Sequence, residues 1–197
     1  TFYHFDDNAH ATTTVEPDGI SRVVTAFRDG KIRGRSATIG GIAISEPMFY
    51  EYGTHSDDGG GVLQTVRIGA AEHSTKTDLA GRFVTTSRPG ANGTAVTTSY
   101  QYDSRGNLTG VVPTDGPAVR YVLDSLCNVA ETWYDTNGDG AFNDEESNGI
   151  RDRCVKRDVG YVAEEGVTYR RTRDWVRDGA GTDILVTDDD HAFDTDQ

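Results

Sequence analysis

The residues best equipped for chemistry form one acid-rich run, Asp135-Thr136-Asn137-Gly138-Asp139-Gly140-Ala141-Phe142-Asn143-Asp144-Glu145-Glu146. Side-chain oxygens fall at its first, third, fifth and ninth positions, a glycine at the sixth and a glutamate at the twelfth. Calcium takes roughly six to eight oxygens at about 2.3–2.6 Å, and a sharply bent loop turns alternate residues toward one centre. Gly140 permits that bend, and the backbone carbonyl of the seventh residue supplies a further oxygen. The spacing predicts a Ca2+ site with Asp135, Asn137, Asp139, the Ala141 carbonyl, Asn143 (directly or through water) and Glu146 as ligands. The plainer alternative is an acidic Asn-Gly and Asp-Gly turn that only holds water.

Two cysteines flank this run, and the midpoint between Cys127 and Cys154 falls between Gly140 and Ala141. That symmetry predicts partners facing each other across a hairpin tipped by the loop, joined as a disulfide. A bridge closing a loop of roughly 28 residues would stabilise the fold by about 3 kcal/mol and would require an oxidising compartment. The competing reading is two unrelated free thiols. No histidine lies close enough in sequence to make the pair a zinc site.

Nothing else reads as a reactive centre. The five histidines are scattered, no Gly-x-Ser-x-Gly elbow occurs, and the run from Ser56 to Gly61 lacks the lysine of a phosphate-binding loop. No catalytic residue is predicted. The stretch from Thr187 to Asp196, a candidate for a second calcium site, lacks both a glycine bend and a closing glutamate, so it reads as a solvated acidic end. Acidic residues outnumber basic ones 32 to 19, and a formal charge of −13 disfavours nucleic acid and anionic membrane surfaces. The longest apolar runs are too short to span a bilayer.

The elements that must carry the loop are strands. Twenty-three glycines, abundant Thr and Val, nine Tyr and a single Met in 197 residues favour short strands and glycine turns over helices. Aligning aromatic or apolar residues that precede a turn gives Tyr3–Asp6, Thr25–Arg28, Tyr50–Gly53, Thr75–Asp78, Tyr100–Asp103 and Tyr121–Asp124, at steps of about 21 to 25 residues. The last three continue in parallel as Asp78-Leu-Ala-Gly81-Arg82, Asp103-Ser-Arg-Gly106-Asn107 and Asp124-Ser-Leu-Cys127-Asn128. A second set of turns stands at Pro17-Asp18-Gly19, Pro89-Gly90 and Pro113-Thr-Asp-Gly116. Each unit reads as a β-hairpin, and hairpins side by side share ladder hydrogen bonds and bury a face. Asp135 stands where other copies carry their second turn, so the calcium loop replaces a hairpin turn. The expected architecture is all-β: stacked antiparallel hairpin repeats in an elongated or curved sheet, one unit over 1–197, with the clearest repeats at 78–134, the loop at 135–146 and a less regular β region at 155–197.

The segment Tyr100-Gln-Tyr102-Asp103-Ser-Arg-Gly106-Asn107-Leu108-Thr109, with the turn that follows and Tyr121 beyond it, resembles the tyrosine-aspartate (YD) repeat of Rhs-type proteins. The calcium run is similar to the EF-hand loop, but the incoming Asn128–Tyr134 reads as a strand and not as the helix of an EF-hand. The YD resemblance implies extracellular hairpin sheets that build shells or cell-surface adhesion proteins. The expected function is therefore structural and non-enzymatic: a secreted or cell-surface shell or filament segment held by calcium and a disulfide. Its expected partners are neighbouring repeats or copies of itself at sheet edges. The alternative is a calcium-dependent adhesin or glycan-binding module, and a third reading, an extracellular hydrolase, rests only on abundant carboxylates.

Overall fold

The computed structural model describes residues 2–5, 9–143, 149–177 and 182–192. The chain is all-β, with antiparallel strands of hairpin-connected neighbours and, among the described residues, two single-turn 3-10 segments, Asp57–Gly59 and Ala91–Gly93. Among the described residues no helix is long and apolar enough to cross a membrane. The chain divides into two compact units, Thr1–Thr98 and Ser99–Gln197.

The first unit holds β1 (Phe2–Phe5), β2 (Ala9–Val15), β3 (Ile20–Phe27), β4 (Ile32–Ile39), the short β5 (Ile42–Ala43), β6 (Met48–His55), β7 (Gly61–Ile68), β8 (Ala71–Asp78) and β9 (Phe83–Pro89). Its order is β1-β2-β3-β4-β6-β7-β8-β9, with β5 paired only to β4. Strand β10 (Ala95–Tyr102) runs through the boundary between the units. The second unit continues with β11 (Leu108–Pro113), β12 (Val119–Leu123), β13 (Val129–Tyr134), β14 (Arg153–Glu164), β15 (Val167–Arg177) and β16 (Asp183–Ala192), each paired to the next. The region expected to be less regular contains the longest strands, of 12, 11 and 10 residues.

Five turns share one backbone geometry. At 16–20, 27–31, 78–82, 103–107 and 124–128 the first N–H donates to the fifth carbonyl, and the fourth N–H donates to the first carbonyl. The fourth residue is left-handed in each: φ is +83° at Gly19, +82° at Gly30, +79° at Gly81, +90° at Gly106 and +66° at Cys127. This is a type I turn closed by a glycine bulge, whose twist matches that of the flanking strands. In three of them the opening aspartate does the same work. Asp78, Asp103 and Asp124 each accept from the N–H groups two and four residues on, and from the side chain of Arg82, Asn107 or Asn128. These bonds hold all three carboxyls below the usual aspartate range. Tyr50–Gly53, aligned in the sequence with these turns, lies instead inside β6.

The core is thin. Among the described residues the buried hydrophobics are Ala26, Ala37, Val84, Trp133 and Cys154. Ladder bonds and cross-strand pairs of Thr, Val and Tyr carry the sheet in place of a deep apolar interior.

Candidate metal centre

The expected strand before the acid-rich loop is β13, and β14 receives the chain after it, so the loop stands at the tip of the β13–β14 hairpin. Its first residues are fixed to both sides. The Asp135 N–H donates to the Ala118 carbonyl at 2.9 Å, and the Thr136 hydroxyl donates to the Arg151 carbonyl at 2.6 Å. The Thr136 N–H donates to Asp152 Oδ1 at 3.0 Å, and the Asn143 N–H donates to Asp152 Oδ2 at 3.2 Å.

Within the loop Asp135, Asn137 and Asp139 each organise the backbone just ahead of them. Asp135 accepts from the Gly138 N–H at 2.7 Å and the Gly140 N–H at 3.1 Å. Asn137 Oδ1 accepts from the Asp139 N–H at 3.0 Å, and Asp139 Oδ1 from the Ala141 N–H at 2.7 Å. Such Asx turns in succession wind the chain tightly, and Gly138 and Gly140 supply the left-handed steps at φ +75° and +78°.

The result is a convergence of Asp135, Asp139 and Asp152, one carboxylate oxygen of each lying within 4.8 Å of the others. Oxygens on opposite sides of a calcium ion stand up to about 5 Å apart, so the spacing suits a single ion. Asp135 is 9% exposed and Asp152 4%, and no ion pair reaches either of them among the described residues. Two buried carboxylates turned toward each other repel unless a cation joins them. The donors are all oxygen, without thiolate or imidazole in the cluster, which suits a hard cation such as Ca2+.

Of the predicted ligands, Asp135 and Asp139 are brought together, Asn137 lies between them with its amide donating to Asp139 Oδ2 at 3.1 Å, and Ala141 and Asn143 follow on the described loop. Glu146 lies outside the described residues. Asp152 was missed by the sequence reading because it falls six residues beyond the twelve-residue window. The signal that could have found it is its position two residues before Cys154, at the start of the returning strand.

The predicted disulfide is not formed: Cys127 and Cys154 are both free thiols. The β13–β14 ladder sets Cys154 opposite Trp133, not opposite Cys127. Trp133 is six residues past Cys127, a displacement of about 20 Å along a strand. The symmetric midpoint failed because the loop's two arms are unequal. Cys127 occupies the glycine slot of its turn, as the sequence alignment has it, and accepts a hydrogen bond from the Asn107 amide at 3.6 Å. Cys154 is 0% exposed, and burial pushes its thiol up to about 11.

Other sequence candidates resolve locally. His55 Nε2 donates to the Thr77 carbonyl at 2.9 Å. The acidic stretch from Asp188 is partly strand: Asp188 pairs with Arg173 and Asp190 with Arg171 across β15 and β16, while Asp194 and Asp196 lie outside the described residues. Compared with models of known protein families and with curated proteins, the chain finds no match.

Proposed function

We propose that this chain is a structural, non-enzymatic β-hairpin segment of YD-repeat type, in which one hairpin tip is tied by a bound calcium ion. The observation that carries the reading is the convergence of Asp135, Asp139 and the sequence-remote Asp152 at the junction of the loop with β14. An ion held there would join the start of the loop to the start of the returning strand and so fix the β13–β14 register. The three identical aspartate turns at Asp78, Asp103 and Asp124 support the repeat.

A role at the cell surface or outside the cell accords with a loop that draws on abundant calcium. With both thiols free, that location rests on the ion and the repeat resemblance alone. Sheet edges suit association with neighbouring repeats or further copies: among the described residues β16 is bonded only to β15, and its residues are exposed. The glycan-binding alternative draws on one patch of the first unit. There Phe27 and Tyr52 meet edge to face at 6.1 Å, with Lys31 over the Tyr52 ring and Arg33 over the Phe27 ring.

The test is a thermal melt in calcium and in chelator, read together with molar mass by light scattering. A calcium-dependent rise in melting temperature supports the tie. Identical melts would reduce the loop to an acidic turn, and calcium-dependent capture of a glycan would favour the adhesin reading.

A further inference from the structure

Charge is unevenly placed along the chain. The β3–β4 hairpin, from Ile20 to Ile39, carries five cations, Arg22, Arg28, Lys31, Arg33 and Arg35, against one acid, Asp29, whereas the whole chain carries −13. Arg22 pairs with Glu16, and Lys31 with Asp29 at 3.1 Å. Among the described residues neither Arg28 nor Arg33 bonds a carboxylate. The Arg33 guanidinium lies instead over the Phe27 ring at 5.8 Å, and the Lys31 ammonium over the Tyr52 ring at 5.4 Å. In a chain with 32 acids, these two arginines are left to an anion from outside.

The cations border an open hollow of about 450 Å³ lined by Phe27, Arg28, Asp29, Lys31 and Tyr52, a size within the usual range of small-molecule sites, about 300–1,000 Å³. Phe27 and Tyr52 wall it with rings set edge to face. Attraction to the ring faces holds Lys31 and Arg33 in place, so less side-chain freedom is lost when an anion binds them. From Tyr52 the ladder runs through Gln64 and Thr75 to Thr86, each directly opposite the next and therefore on one face. The acids of β6 to β9 stand on the other face: Glu51 is next to Tyr52 in sequence, Glu72 shares a row with Phe49 and Arg67, and Asp78 shares one with His55 and Gly61.

A cationic end, an apolar wall and neutral amide and hydroxyl groups leading away call for a ligand with one carboxylate, a ring with a C–H face, and hydroxyls along its length. A hexuronate sugar has all three. A nucleic-acid strand carries a charge about every 3.4 Å and would lay phosphates along Gln64 and Thr75, where the row supplies no cation. An acidic peptide brings the charge without the ring.

We propose that the first unit binds a uronate-bearing sugar chain at this hollow, with its carboxylate on Arg28 and Arg33, its ring against Phe27 and Tyr52, and its further hydroxyls along Gln64, Thr75 and Thr86. The proposal rests on the glycan-binding alternative and names its ligand. It lies wholly in the first unit and draws nothing from the metal loop.

The full chain is titrated calorimetrically, in chelator, with a hexamer of galacturonic acid, with the same hexamer fully methyl-esterified, and with poly-glutamate. Wild type is expected to bind the acidic hexamer saturably and the other two at least about tenfold more weakly. Arg33→Gln is expected to weaken the acidic hexamer at least about tenfold, while Arg67→Gln, on the other face of the sheet, leaves binding unchanged. Both positions are exposed, and circular dichroism checks that the fold is kept. Binding of the esterified hexamer as tightly as the acidic one overturns the proposal and leaves the glycan-binding alternative standing with a neutral ligand; binding of neither hexamer overturns both. Poly-glutamate bound as tightly as the acidic hexamer overturns it in favour of an acidic peptide. Equal weakening by Arg33→Gln and Arg67→Gln overturns the placement of the site.

Discussion

Replacing Cys127 by glycine is expected to stabilise the protein. Cys127 has φ +66°, while the same slot in the four matching turns holds Gly19, Gly30, Gly81 and Gly106. An L-residue in this left-handed conformation is strained by about 1–2 kcal/mol because Cβ crowds the following carbonyl. Glycine relieves that strain but enlarges the conformational freedom of the unfolded chain, which takes back about 0.4–1 kcal/mol. The lost contact from Asn107 to sulfur, at 3.6 Å, is weak. The net gain is about 0.5–1 kcal/mol, a rise of roughly 2–8 °C in melting temperature for a unit near 100 residues. Urea and thermal unfolding of wild type and Cys127→Gly, in reducing and non-reducing buffer, measure it. Destabilisation by about 3 kcal/mol in non-reducing buffer alone would reveal a disulfide and refute the ladder register given for Cys154. Equal destabilisation in both buffers would refute the strain argument.

The thiols are expected to differ in reactivity: a maleimide labels Cys127 in the native protein and reaches Cys154 only after unfolding, since Cys154 is buried and its thiol is pushed up to about 11. Mass spectrometry counts the labels, and native labelling of both or of neither contradicts the placement. Acid is expected to loosen the second unit. Hydrogen bonds from Arg177 and Lys156 depress the Asp183 carboxyl to about 2, and Arg157 and Arg171 likewise depress Asp174 and Asp190. A carboxyl depressed in the folded state contributes stability that is present above its unfolded value near 3.9 and is lost as pH falls toward about 2. Unfolding followed from pH 5 to 2 is expected to show a shallow loss, since exposed ion pairs are screened by water, and Asp183→Asn makes it shallower still; an unchanged slope would mean that the Asp183 ion pairs contribute nothing.

Local chemistry was legible in the sequence, and register was not. Thr and Val enrichment with glycine turns gave the all-β class, and Asp-x-x-Gly marked turns that proved alike to the hydrogen bond. The acidic loop stood out by the spacing of its oxygen side chains, and the structure brings two of the predicted residues, Asp135 and Asp139, together. Tyr50–Gly53 misled because an aromatic pair and a glycine occur as readily inside a strand as at its end, and β6 passes through them unbroken. The cysteine pairing misled because it assumed equal arms on either side of the loop, whereas the ladder sets Trp133 against Cys154. Asp152 escaped notice for the same reason: its approach to Asp135 depends on how the chain returns from the loop.

The most direct test of the calcium-tied hairpin is calorimetric titration of Ca2+ into the chelator-treated wild type and into Asp152→Asn. The account predicts one ion per chain and binding at least about tenfold weaker in Asp152→Asn, a loss of about 1.4 kcal/mol. Binding left unchanged by Asp152→Asn would contradict the assignment of Asp152, and the absence of saturable calcium binding to the wild type would contradict the account itself.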